Sequence, residues 1–122
     1  QYFSFPYLDY LMGMSKLYDI DKDAKQYFVK FLNETKGDNY IKSAYQKMVW
    51  IGILFKQNNV SNYNKKVISE GHSILETDKQ AQKEAEIGIL PHSELLKSRL
   101  LFDGGYLKKA EDILTRFNPE NF

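Results

Sequence analysis

Along most of the chain, apolar side chains return at i, i+3, i+4 and i+7, and no window alternates cleanly as a half-buried strand would. That periodicity restricts the chain to helices. The breaks between periodic stretches are short and carry Gly, Pro, Asp or Asn, so consecutive helices must double back on one another. The expected fold class is therefore all-α, with about seven helices in antiparallel pairs.

The first periodic segment, Phe5 to Tyr18, carries Leu8, Leu11, Met12, Ser15 and Tyr18 on one face, with Pro6 in the first turn, where a missing N–H costs nothing. Asp21 is placed to cap the second, Lys22 to Lys36, which aligns Ala24, Tyr27, Phe28, Phe31 and Leu32. Gly37 reads as the left-handed residue that closes it, and Asp38 or Asn39 as the next cap. The third segment, Tyr40 to Lys56, has two apolar stripes. One is Ile41, Ala44, Tyr45, Met48, Gly52 and Phe55; the other is Tyr40, Ser43, Trp50 and Leu54. A helix apolar on two sides is packed between neighbours, so this one is expected at the centre.

Gln57 to Asn62 reads as a polar loop. A fourth helix, Tyr63 to Ser73, is led by Tyr63, Val67, Ile68 and Gly71. A fifth, Asp78 to Ile87, offers Ala81 and Ala85 for close approach and is ended by Gly88 and Pro91. The sixth, Ser93 to Phe102, carries Leu95, Leu96, Leu100 and Phe102. After Asp103-Gly104-Gly105 the seventh, Tyr106 to Phe117, aligns Tyr106, Ala110, Ile113, Leu114 and Phe117 before Asn118-Pro119 stops it.

Composition narrows the function classes. At 122 residues the chain is one domain, and it has no cysteine, which excludes disulfide scaffolds, Cys-based zinc sites and thiol chemistry. A net charge of +1, with only Arg99 and Arg116 as arginines, argues against nucleic acid as the partner. The longest apolar run, Met48 to Phe55, is far short of the ~20 residues a spanning helix needs. The N-terminus has neither the basic region nor the cleavage site of a signal peptide, and it opens on an aromatic pattern without an initiator Met. The expectation is a processed protein or a piece of a longer one.

Helix, short Gly-containing turn, helix is the unit of an α-solenoid. The segment LLKSRLLFDGGYLKKAEDILTRF shows it best. Ser98 is the small residue of its first helix, Leu101 follows at i+3, Gly105 makes the turn, and Ala110, Leu114 and Phe117 occupy the second helix. This resembles the tetratricopeptide repeat (TPR), although Tyr106 sits one residue early. LMGMSKLYDIDKDAKQYFVKFL looks like a looser copy, with Gly13 and Tyr18 in its first helix and Ala24, Phe28 and Phe31 in its second. Together with KGDNYIKSAYQKMVW and RLLFDGGY, these segments are similar to a group of uncharacterised bacterial TPR-like proteins. The resemblance implies a TPR-like superhelix of three helix pairs and a seventh helix, probing no chemistry of its own: a non-enzymatic module that binds a protein or peptide partner in a concave groove. A bacterial origin fits either a cytoplasmic or an exported protein.

No constellation indicates catalysis, a metal or a cofactor. The spacing of Glu70, His72, Asp78, Glu84 and His92 matches no ligand motif, and His92, beside Pro91, suits a helix start. Glu84 and Glu86 point to different helix faces, and Asp103-Gly104-Gly105 lacks the strand and the Lys-Ser or Lys-Thr of a phosphate loop. The candidate groove wall is the polar side of the third helix: Asn39, Lys42, Ser43, Gln46 and Lys47, where amides and hydroxyls can meet a peptide backbone and an ammonium can hold a carboxylate. A solvated helix face is the competing reading. Arg99 is a weaker candidate that can instead pair with Asp103. Two alternatives stand beside groove binding. One is structural self-association through Tyr2, Phe3, Phe5 and Phe122 at the ends. The other is a helical ligand-binding or enzyme domain with a central pocket.

Overall fold

The structure is a computed structural model and describes residues 5–116. Seven helices run in order, with no strand among the described residues: α1 Pro6–Tyr18, α2 Ala24–Glu34, α3 Ile41–Leu54, α4 Val60–Ser69, α5 Glu76–Ile87, α6 Ser93–Asp103 and α7 Leu107–Arg116. None is long and apolar enough to cross a membrane. Tyr2, Phe3, Phe117, Asn118, Pro119 and Phe122 lie outside the described residues.

Three hairpins, α1–α2, α3–α4 and α6–α7, are joined with α5 as the single helix, in the interior of the chain rather than at its end. The expected central helix is α3, which packs against α2, α4, α5 and α6. Its Ala44, Met48, Val49, Trp50, Ile51 and Leu54 are all buried in the main core, alongside Leu17, Phe28, Phe31, Val67, Leu96 and Leu100. A second, smaller cluster of Leu101, Ala110 and Ile113 fills the last hairpin. Helix α1 also packs on α6. A strictly linear stack of pairs keeps such distant helices apart.

The outer hairpins share a turn. After α1, Ile20 adopts φ 54°, its N–H reaches Leu17 O, and Asp21 N–H reaches Lys16 O. After α6, Gly105 at φ 90° repeats both bonds, to Phe102 O and from Tyr106 to Leu101 O. These are the paired bonds of a Schellman ending. Glycine takes the left-handed conformation without strain. Ile20 holds it because its side chain packs against both clusters at once. Gly13 and Ser98 precede the two turn residues by the same interval, and each meets the second helix of its hairpin closely. A Cβ on Gly13 would sit 2.9 Å from the Phe28 ring, and Ser98 Oγ donates to Ala110 O at 3.2 Å.

Several local expectations are corrected. The buried face of α1 is Tyr10, Gly13 and Leu17; Leu8, Leu11 and Met12 are exposed because the approach to Phe28 is made through the glycine. Helix α4 begins at Val60, inside the stretch expected to be loop, because Val60 seats against Gly52, where a Cβ would lie 2.5 Å from its Cγ2. It ends at Ser69, so Gly71 is outside it, at φ 71° and pressed on Ile41. Gly37 is not left-handed; α2 instead ends in an extended Thr35. Leu95, Phe102, Tyr106 and Leu114 are exposed, so α6 and α7 bury narrower faces than their apolar residues suggest.

Candidate functional site

The polar residues of α3 are inside the protein. Lys42, Ser43, Gln46 and Lys47 retain 4%, 0%, 7% and 5% of their exposure, because α4, α5 and α6 cover the side of α3 expected to form an open wall. Asn39 and Arg99 are exposed, but Asn39 lines a separate recess with Tyr7 and Tyr40 near the start of α3. The six candidates therefore do not form one surface.

Helix α3 has no side-chain cap of its own: Tyr40 takes the N-cap position at φ 67°, and neither Asp38 nor Asn39 caps it. The cap comes from another helix. Asp78, fully buried in the first turn of α5, accepts Tyr40 N–H through Oδ2 at 2.8 Å and Ser43 N–H through Oδ1 at 3.0 Å. One carboxylate thus serves the N-terminal ends of two helices, where negative charge is favoured. Lys42 does the converse. Its ammonium donates to Val67 O at 2.9 Å and Ile68 O at 3.0 Å, satisfying carbonyls at the end of α4.

Ser43 Oγ is a hub, bonded to Tyr10 OH at 2.6 Å, Thr77 Oγ1 at 3.0 Å and Lys47 Nζ at 3.3 Å. Lys47 also donates to Gln46 Oε1 at 3.0 Å, and its ammonium lies 4.3 Å from the centre of the Trp50 ring. The Gln46 amide donates to Glu84, which pairs with Arg99 at 3.7 Å. Arg99 in turn lies 4.9 Å from the Trp50 ring. So the ion pair of Arg99 is with Glu84 on α5 rather than with Asp103. The Lys47 pKa is lowered to about 8, chiefly by burial and then by the Arg99 charge, against the opposing pull of Glu84 and Asp78. Burial also raises the Tyr10 hydroxyl pKa, its largest influence.

Two recesses flank this network, and Trp50 and Arg99 line both. One, about 490 Å³, lies between α1, α3 and α6, with Tyr10, Leu11, Met14, Lys47, Thr77 and Asp103 on its walls. The other, about 200 Å³, lies between α3, α5 and the following loop, with Gln46, Glu84, Ile89, Leu90 and Pro91. Ile87, Ile89 and Leu90 on its rim are exposed.

The histidines, whose spacing matches no metal-ligand motif, serve other tasks. His92 Nδ1 accepts Glu94 N–H as the N-cap of α6, as its place beside Pro91 implied. His72 lies 3.4 Å from Asp38 on the surface, and no group of three metal-ligating side chains converges among the described residues. Tyr10, Trp50, Thr77, Asp78 and Glu84 were not candidates for the groove. A signal for Asp78 does exist: it shares the i, i+3, i+7 stripe with Ala81 and Ala85, and a carboxylate on a buried stripe must have partners. Comparison with protein-family models, with curated proteins and with solved structures gave no match.

Proposed function

We propose that this chain is a non-enzymatic, TPR-like interaction module that docks a peptide or helix of a partner protein across Trp50 and Arg99. The observation that carries this reading is the pair of recesses meeting at those two side chains, with exposed Leu11 on one side and Ile87, Ile89 and Leu90 on the other. An aromatic ring and a guanidinium flanked by apolar side chains is the composition of interface hot spots. The matching turns after α1 and α6, with Gly13 and Ser98 in equivalent places, support the repeat reading. The α1–α6 contact means that any solenoid here is closed up rather than extended.

Selection of peptides from a displayed library tests the reading. Enriched peptides should lose at least about tenfold in affinity on Ile89→Asp or Arg99→Ala, both at exposed positions, while circular dichroism stays unchanged. Failure to enrich any sequence, or binding indifferent to both changes, rejects it. A second reading, association between copies, draws on exposed Leu8, Leu11 and Met12 of α1. It requires a concentration-dependent mass by light scattering that Leu8→Glu abolishes.

A further inference from the structure

We infer that the recess between α1, α3 and α6 is a binding site for a single carboxylate carried on an apolar body, held by Lys47 and Arg99 beside the Trp50 ring. The inference deepens the groove reading above by naming the chemistry its ligand presents. Its first support is the state of Lys47. The side chain is almost wholly removed from solvent, yet its hydrogen-bond acceptors are the neutral oxygens of Ser43 and Gln46. Among the described residues no carboxylate lies within ion-pairing distance of it. Buried ammonium groups are normally paired, because desolvation disfavours the charge and only a close counter-charge restores it.

The two acids whose charge acts on it are committed elsewhere. Both oxygens of Asp78 take backbone N–H groups of α3, and Glu84 is shared by Gln46, Gln80 and Arg99. Arg99 supplies the second cation. Its pair with Glu84 is too long for a hydrogen bond, and among the described residues its guanidinium donates none, so its planar fork is available to a carboxylate.

Both cations line the same recess, whose volume of about 490 Å³ falls within the range of small-ligand sites. Leu11, Met14 and Leu100 give it an apolar wall. Asp103, exposed on the same recess, adds negative charge to its wall, a penalty that grows with ligand charge and so weighs more against a dicarboxylate or a phosphate than against a monocarboxylate. The other titratable or hydroxyl groups lining the recess, Tyr10 and Tyr18 from α1 and Thr77 from α5, are uncharged near neutral pH.

Trp50 is the only tryptophan, so its emission reports on this recess directly. Phenylpropionate should change that emission saturably, and phenylpropionamide should bind at least about tenfold more weakly. Because the Lys47 ammonium has a pKa of about 8, affinity for the acid should fall about tenfold or more between about pH 6.5 and about pH 9.5. Lys47→Met should lose the same factor, and Arg99→Gln a few-fold; should Lys47→Met fail to fold, Arg99→Gln and the pH profile still decide. Equal affinity for acid and amide overturns the inference, as does a flat pH profile with Arg99→Gln binding like the native chain.

Peptides enriched from the library, made as C-terminal acid and amide, form the second arm. Preference for the acid form assigns the carboxylate to a partner chain. Peptides that bind in both forms equally overturn the carboxylate site while leaving peptide docking intact. Phenylpropionate binding with no enriched peptide supports the site and rejects peptide docking.

Discussion

Replacing Asp78 with Ala should be the most damaging single change at a polar position. The carboxylate makes two charge-assisted bonds to backbone N–H groups, at 2.8 and 3.0 Å. The Ser43 N–H it leaves behind belongs to a residue with no solvent exposure, so its loss carries a full desolvation penalty of ~1–3 kcal/mol. The Tyr40 N–H is only partly buried and can be reached by water, which limits its share to ~0.5–1 kcal/mol, the low end of cap deletions. Together these give ~1.5–4 kcal/mol, a large part of the ~5–15 kcal/mol that holds a domain of this size together. The melting temperature should drop by ~5 °C or more. Asp78→Asn keeps one acceptor oxygen but turns an N–H donor toward the other backbone N–H, so it should be intermediate. Asp23→Ala is the control: Asp23 is the N-cap of α2 yet makes no side-chain cap bond, and its removal should fall within ~0.5 kcal/mol. Urea unfolding followed by circular dichroism and by Trp50 emission measures all three. An Asp78→Ala protein within ~1 kcal/mol of the native one would refute the cross-helix cap as a stabilising element.

Further outcomes follow from neighbouring features. Lys47 has a folded pKa of about 8 against 10.5 unfolded, so between those values the unfolded chain binds more protons and the native stability contributed by this residue rises with pH. The gain approaches ~3 kcal/mol, read as the difference between native and Lys47→Met stabilities so that the tyrosines cancel; no rise in that difference contradicts the burial argument. Gly13→Ala should cost ~1–3 kcal/mol through overlap with Phe28 despite better helix propensity, whereas Gly37→Ala, with open space and no left-handed φ, should be neutral or stabilising by up to ~1 kcal/mol by thermal melts. Lys42→Met should speed amide hydrogen exchange at the end of α4 by about tenfold, since each carbonyl it serves loses a charged donor; unchanged exchange there argues against the cap.

Much of the helical framework is legible in the chain because a period of three to four residues and its breaks are local signals. Met48 to Phe55 announces the central helix, and the Gly105 turn is read correctly from Asp103-Gly104-Gly105. The errors arise where a distant element decides. Leu8, Leu11 and Met12 form a plausible stripe, but Gly13 lets Phe28 in and reassigns the face of α1. Asp38 and Asn39 occupy good local cap positions, but Asp78, some forty residues later, takes the bonds. Polar residues on α3 imply water beside them only while nothing else is polar. Once Tyr10, Thr77 and Glu84 are brought in by three-dimensional packing, the same amides, hydroxyl and ammonium are better satisfied inside. Lys47 and Arg99 are both candidates on the sequence, but that they share the Trp50 ring is a fact of packing alone.

The contact between α1 and α6 bears on how the molecule assembles. A stack of repeats can nucleate at any unit and fray from either end, because each unit answers only to its neighbour. Here the first helix finds its last partner only after most of the chain is available. The contact therefore raises the average sequence separation of native pairs, which slows folding relative to local helical hairpins. It also links the two outer hairpins, so opening one removes packing from the other. The chain then gains and loses its structure as one cooperative unit rather than repeat by repeat.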